Sequence, residues 1–410
     1  MKLVTKMKML LASFLLWASG VIPLIRAITR WSLRWVGYSL LPLESISKSA
    51  ISLQPALSTP SVFESIAPKT AGEAERAVSG VFPSLLGRRI SNAIVHCASS
   101  AVVTAEQIVL PDYYYENRKR VSYAGGNLRI ANDKYGLIDT RVKESLPAGI
   151  AIFGNGSYNY YHWLIEILPA AFLSQRLGDE FQSYPFLVPE QYEKYSSFRD
   201  SLEVFRAGRP VVSMRSDRQY RIDDLVIIDS PVHGAFNLRA GIWPEVTDYS
   251  QNTLVLTAFR EYILNALAVS PTTSEQNIFL ARGNTRRNYN QDELIEIVKS
   301  FGFEVVFPEN LTFLEQLQLF QSASVVVGAS GAAWANMLFC KAGSRGLAWM
   351  FPEYRGFCVY SNLAKIVGFD LEYLFPSSDR IITSSGAAYR AAYRVDPESF
   401  QSALHSLVIS

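Results

Sequence analysis

A chain of 410 residues exceeds the usual size of one hydrophobic core, so two lobes are expected. With 49% hydrophobic and 19% charged residues, the composition excludes an intrinsically disordered protein. A net charge of +2 is too small to make nucleic acid the main partner.

The N-terminus reads as a membrane-associated segment over residues 1–41. Lys2, Lys6 and Lys8 precede an uncharged run from Met9 to Ile25. At about 17 residues the run sits at the lower limit for a spanning helix, and Pro23 interrupts it. Arg26, Arg30 and Arg34 follow at helical spacing beside Trp31 and Trp35, a pattern suited to the headgroup layer. No clean small-residue cleavage site follows the run. An ordinary helix packed on the body of the protein is the alternative. Positive charge on both flanks leaves the orientation open. Residues 42–78, rich in Ser, Pro and Ala, show no helical or strand period and read as a linker or loose extension.

Residues 79–270 read as a mixed lobe. "NLRIANDKYGLI" carries the turn signal Asn132-Asp133 between two strand-like runs. "GIAIFG" reads as a buried strand that feeds the helix "NYYHWLIEILP". "FLVPE" and "DLVIID" read as further strands. Three widely spaced cysteines, Cys97, Cys340 and Cys358, form neither a metal spacing nor a disulfide framework, and fit a reduced, cytoplasmic setting.

Residues 271–376 alternate more cleanly. The strands are "NIFLAR", "FEVVFPE", "SVVVGA", "GLAWMF" and "LEYLF"; the helices are "DELIEIVKSFG", "TFLEQLQLFQSA", "AAWANMLFC" and "VYSNLAKIVG". This is the pattern of a doubly wound α/β lobe. In the extension 377–410, Asp396 is an N-cap and Pro397 the first residue of a helix running to about Leu407.

Ligands bind such lobes at the carboxyl ends of the strands. Arg282, Arg286, Arg287 and Asn290 follow the first strand. Guanidinium groups bind phosphate oxygens bidentately. Ser330, Gly331 and Ala332 follow "SVVVGA" and open a helix whose N–H groups suit an anion. Two such features at neighbouring strand ends suggest a diphosphate. Each also has a plainer reading: a solvated basic face, and close packing of strand on helix. "GASGAA" is not the GxGxxG fingerprint and no GxxxxGK[ST] is present, which argues against a dinucleotide-dependent oxidoreductase and a P-loop NTPase.

"NYYHWLIEILP", "RGNTRRNYNQDEL" and "GFEVVFPENLTFLEQLQLFQSASVVVGASGAAWANMLF" together resemble the family 61 glycosyltransferases, often labelled capsular polysaccharide biosynthesis proteins in bacteria. The resemblance covers about Gly149 to Pro376. It implies a GT-B fold of two Rossmann-like lobes, with residues 79–270 on the acceptor side and 271–376 binding a nucleotide-sugar donor. It also implies inverting, metal-independent transfer with no cofactor beyond that donor. Gln316, beside Glu315, and Asn336 match the family pattern and join the donor-site candidates. One departure is Ser330, where many members have His.

Within that frame His162 and Glu166, at i and i+4 on one helix face, are the catalytic candidates. Inverting transfer needs a base for the acceptor hydroxyl. Glu166 is the favoured base, oriented by or sharing the proton with His162; the reverse assignment and a purely structural pair are the alternatives. Asn159 and His233 are cleft candidates, and Tyr158, Tyr160, Tyr161 and Trp163 are candidates for stacking on sugars. Asp223-Asp224 and the Asp-x-Glu of "FDLE" are weak metal motifs, and no metal is expected. The expected partners are a nucleotide sugar, a glycan acceptor and a membrane surface. The expected place is the cytoplasm or the cytoplasmic face of a membrane, with an anchored form as alternative. The competing function is a non-catalytic glycan- or nucleotide-binding scaffold.

Overall fold

The structure is a computed structural model that describes residues 37–409 apart from 54–56, 58, 105–106, 123–124, 270–274, 284–288, 378–381 and 389–390. The run Met9–Ile25 and its arginine and tryptophan flank lie outside the described residues. Among the described residues, no helix is long and apolar enough to cross a membrane.

The stretch read as a loose extension is partly strand. Strands β1 (Ser61–Ile66) and β2 (Ala77–Phe82) pair antiparallel, from Ser61 opposite Phe82 to Ile66 opposite Ala77. The signal was hidden because β2 is exposed along most of its length and so needs no apolar alternation.

An 11-stranded sheet follows. Its strands include β3 (Gly87–Val95), β4 (Val142–Ala151), β5 (Phe186–Pro189), β6 (Val211–Met214) and β7 (Gln219–Ile228). The order β6-β5-β4-β7 is parallel throughout, with helix Ser196–Arg206 (α1) crossing between β5 and β6. The strand order reverses between β4 and β7. Beyond β7 the sheet turns antiparallel at β3 and runs on to the hairpin Leu128–Ala131 and Tyr135–Ile138. The Asn132 side chain closes that hairpin by accepting from the backbone N–H of Lys134 and Tyr135, each at 2.8 Å, as its turn signal predicts.

The second sheet is parallel, in the order β9-β8-β10-β11-β12. Its strands are β8 (Gln276–Leu280), β9 (Glu304–Val306), β10 (Ala323–Ala329), β11 (Arg345–Trp349) and β12 (Asp370–Leu374). Here the order reverses between β8 and β10. Side chains alternate across the sheet. Phe279, Val327 and Leu347 pack on helices Gln291–Ser300 (α2) and Pro397–Ile409 (α3), while Ile278, Val326 and Ala348 face the larger core. The capping box of Thr312 and Glu315 starts helix Phe313–Ser322 on that side. Asp396 caps α3 by accepting from the Ser399 N–H at 2.9 Å.

The larger core is continuous between the sheets. It joins Ile150, Phe186 and Val226 of the first to Ile278, Val326 and Ala348 of the second, through Trp163, Leu164 and Phe259. The protein is thus a mixed α/β molecule with one large mixed sheet and one parallel sheet.

Candidate active site

The backbone after β4 makes a tight turn and enters the segment His162–Ile167. This is a π-helix, not the α-helix expected: Leu168 N–H donates to the Trp163 carbonyl, five residues back, at 2.8 Å. Asn159 organises its start. Its side-chain oxygen accepts from Tyr161 N–H at 2.8 Å, and its carbonyl accepts from Trp163 N–H at 2.9 Å. Asn159 is therefore a helix-start residue.

His162 Nδ1 and Glu166 Oε2 lie 2.9 Å apart. The two side chains are 14% and 9% exposed, which places the pair at the edge of the interior. Glu166 Oε1 is sealed from solvent and has no hydrogen-bond partner among the described residues. When Nδ1 carries the hydrogen it donates to Glu166 Oε2, and Nε2 is then the ring's acceptor nitrogen. Gly156 packs on the imidazole. It has φ +76°, and a Cβ there would stand 2.5 Å from His162 Cδ2. The other side of the ring meets the edge of Phe236, with centroids 4.4 Å apart.

At the reversal point of the second sheet, Arg282 leaves β8 and reaches across to the end of β10. Its Nη2 donates to the carbonyl of Ser330 and, at 3.4 Å, to that of Ala329. The guanidinium lies over Gly331, where a Cβ would come within 2.4 Å of Nη2. Gly331 is extended in backbone, so the requirement there is space and not φ. Ala332 opens a 3-10 segment, Ala332–Phe339. Arg282 and the Ser330–Ala332 turn are thus brought together. Arg286 and Arg287 lie outside the described residues.

An aromatic recess lies beside Ser330. Ser330, Met350, Phe351, Tyr354, Phe357, Tyr360 and Tyr393 line it. Its wall touches the His162 neighbourhood through rings: Phe357 with Phe236 at 6.4 Å, and Tyr360 with Tyr161 at 5.8 Å. One ring, Phe236, separates the recess wall from His162.

Asn336 and Gln316, read as donor ligands, sit instead in the interior. Tyr160 Oη donates to Asn336 Oδ1 at 2.8 Å, Asn336 Nδ2 to Gln316 Oε1 at 2.7 Å, and Gln316 Nε2 to the Leu311 carbonyl at 3.2 Å. Burial pushes the Tyr160 hydroxyl far up, so it stays a donor and sets the direction of the whole chain. These bonds tie the His162 segment to the second sheet. Asn290 is also occupied: it donates to the Val395 carbonyl at 3.0 Å and accepts from Val395 N–H at 2.9 Å, pinning the C-terminal extension to the start of α2.

His233 is not an open cleft group. Its ring lies between Phe82 and Tyr113, at 4.4 and 4.6 Å, and burial pushes it down to about 3. Tyr161 and Trp163 are buried, whereas Tyr158 is exposed. Asp224 is bound by Arg89 at 2.8 Å in mid-strand. Asp370 begins β12, at the amino edge of the sheet, opposite the ends where ligands bind. Among the described residues, no group of three His, Cys, Asp or Glu is arranged to hold a metal.

Asp229, at the end of β7, escaped the sequence reading although the strand-end rule points to it. Burial pushes its carboxyl up to about 6, against the pull of Arg88 at 3.9 Å. Beside it, Ser230 Oγ donates to the Glu166 carbonyl at 2.9 Å and so fixes the π-helix on the first sheet's reversal point. Phe236 was missed as well, since a lone aromatic in "HGAFN" carries no signal.

Residues 160–347 match the model of a family described as Glycosyltransferase 61, inside the stretch that carries the resemblance. Over 200 residues the chain is 24% identical to a Drosophila melanogaster protein named EGF domain-specific O-linked N-acetylglucosamine transferase. That alignment covers 45% of this chain and 37% of the fly protein, so the chain spans little more than a third of its relative's length. Residues 160–347, the stretch that the Glycosyltransferase 61 model matches, hold the His162–Glu166 pair, the Arg282 turn and the Tyr160–Asn336–Gln316 chain.

Proposed function

We propose that the protein moves a sugar from a nucleotide-sugar donor to a hydroxyl of a cell-surface or capsular glycan, with inversion and without a metal. The two sheets act as the lobes of a GT-B arrangement, and the work is done at the cytoplasmic face of a membrane. The observation that carries this reading is the His162–Glu166 pair, set one aromatic ring from the wall of a recess that Ser330 also lines.

His162 Nε2 takes the proton from the acceptor hydroxyl as that oxygen attacks the anomeric carbon. The bond from that carbon to the diphosphate oxygen breaks, and the nucleoside diphosphate leaves. Glu166 holds the imidazole in the Nδ1–H tautomer and stabilises the imidazolium that forms. Histidine is preferred over Glu166 as the base because the free carboxylate oxygen is sealed from solvent, where no acceptor hydroxyl reaches it. Arg282 and the N–H groups of Gly331 and Ala332 hold the diphosphate charge in place of a cation, since the Ser330 N–H is already given to the Trp349 carbonyl.

Two outcomes test the donor half. Arg282→Ala should weaken binding of a nucleoside diphosphate by about 1.5–3 kcal/mol, the range for a charge-assisted contact. Calorimetry with UDP and GDP measures it, and unchanged affinity for whichever binds sinks the assignment. Turnover should survive EDTA. Loss of activity in EDTA that magnesium or manganese restores would show that the arginine is not sufficient.

A further inference from the structure

We infer that Tyr158 is a stacking platform for the saccharide acceptor, held at the mouth of the site by a turn built to keep it there. The inference rests on the transferase reading above and adds to it a residue that selects what is glycosylated. Tyr158 is 66% exposed, while Tyr161 and Trp163 close after it are buried. Among the described residues its hydroxyl makes no hydrogen bond and its ring pairs with no other ring. A large exposed aromatic is ordinarily free to move with a surface loop. Here the loop is fixed on both sides of the ring.

Five hydrogen bonds hold it. Asn155 N–H donates to Ser100 Oγ at 2.9 Å, and Ser100 N–H returns a bond to Asn155 Oδ1 at 3.3 Å. Ser157 Oγ donates to the Cys97 carbonyl at 2.9 Å. Ser157 N–H closes on the Gly154 carbonyl at 3.2 Å, and Asn159 N–H on that of Gly156 at 2.7 Å. Gly156 then presses on the His162 ring. Turn and imidazole are therefore one rigid unit, and Tyr158 projects from it four residues before the base. The turn also leaves the carboxyl end of β4, next to the strand-order reversal where ligands gather.

A rigid ring with few torsions gives contact area at low entropic cost. The C–H-rich face of a pyranose is the matching surface, since its polar groups point outward around the rim. A charged or extended peptide acceptor would leave that ring face without a flat partner. The geometry therefore favours a saccharide acceptor.

The test uses saturation-transfer NMR on the full chain with a defined panel: methyl β-glycosides of glucose, galactose, xylose and N-acetylglucosamine. At least one should bind through the C–H protons of one ring face. Tyr158→Ala should reduce that transfer about fivefold or more, and Tyr158→Phe should retain it. UDP and GDP binding and the melting temperature should stay unchanged in both variants. Binding that is unaltered in Tyr158→Ala, or no binding of any panel member by the unmutated protein, overturns the inference. If saccharide binding depends on Tyr158 while no donor is ever turned over, the platform stands and the transferase reading falls.

Discussion

His162→Ala is expected to lower turnover by about 10²–10⁴-fold, the usual contribution of a positioned general base. Nucleoside diphosphate binding should be retained, because Arg282 and the Ser330–Ala332 turn stand on the other sheet. Glu166→Gln should cost less. The amide oxygen still accepts from Nδ1–H, yet the negative charge that supports the imidazolium is gone. The order of the two effects decides the roles. A larger loss in Glu166→Gln than in His162→Ala would make the carboxylate the base and the histidine its holder. A pair that is purely structural behaves differently again: either variant would melt much earlier while keeping its specific activity. Steady-state rates with thermal melts on the same samples separate the three cases.

The second large effect is expected far from any ligand. Asn336 is fully buried, and its amide is the middle member of the Tyr160–Asn336–Gln316 chain. Asn336→Ala leaves a buried hydroxyl donor and a buried amide oxygen unmatched. At about 1–3 kcal/mol for each such group, stability should fall by about 2–6 kcal/mol. Urea denaturation reads this as a lower midpoint with little change in slope. Tyr160→Phe orphans one acceptor, so its loss should be about half as large. A direct donor ligand would show the opposite pattern, with stability held and nucleoside diphosphate affinity lost. That result would return Asn336 to the binding site.

The second sheet was legible in the sequence almost strand for strand. Its strands are covered on both faces, so each is a short continuous apolar run between amphipathic helices. Its start signals were local too, as the capping box at Thr312 and Asp396 before Pro397 show. The first sheet was less legible where it faces water. β1 and the first two residues of β2 were taken for linker because an exposed ribbon carries no apolar period.

At the site, Arg282 and Gly331 could be named because strand ends and small residues are local signals. The partnership of His162 with Glu166 followed from spacing alone. What spacing does not reveal is which way a polar side chain faces. Asn336, Gln316 and Asn290 were read as ligands because their positions matched a motif, yet all three spend their amides on this protein's own groups. His233 follows a strand end, as expected, and is nevertheless enclosed by Phe82 and Tyr113, which come from distant parts of the chain.

The π-helix bears on how this site tolerates insertions and deletions. A π turn holds one residue more than an α turn, as though a single codon had been added to an ordinary helix. Removing any one residue between His162 and Ile167 would let the segment relax to α geometry. The residues on either side would keep their facing, because the one lost is the extra residue that the wider turn holds. Leu168 and the helix Pro169–Ser174 would keep their apolar surface on Phe205 and Phe259, which cover Phe172. An in-frame loss of three nucleotides here should therefore spare the helix that follows and act on the pair itself, whose spacing shrinks by one residue when the loss falls between His162 and Glu166.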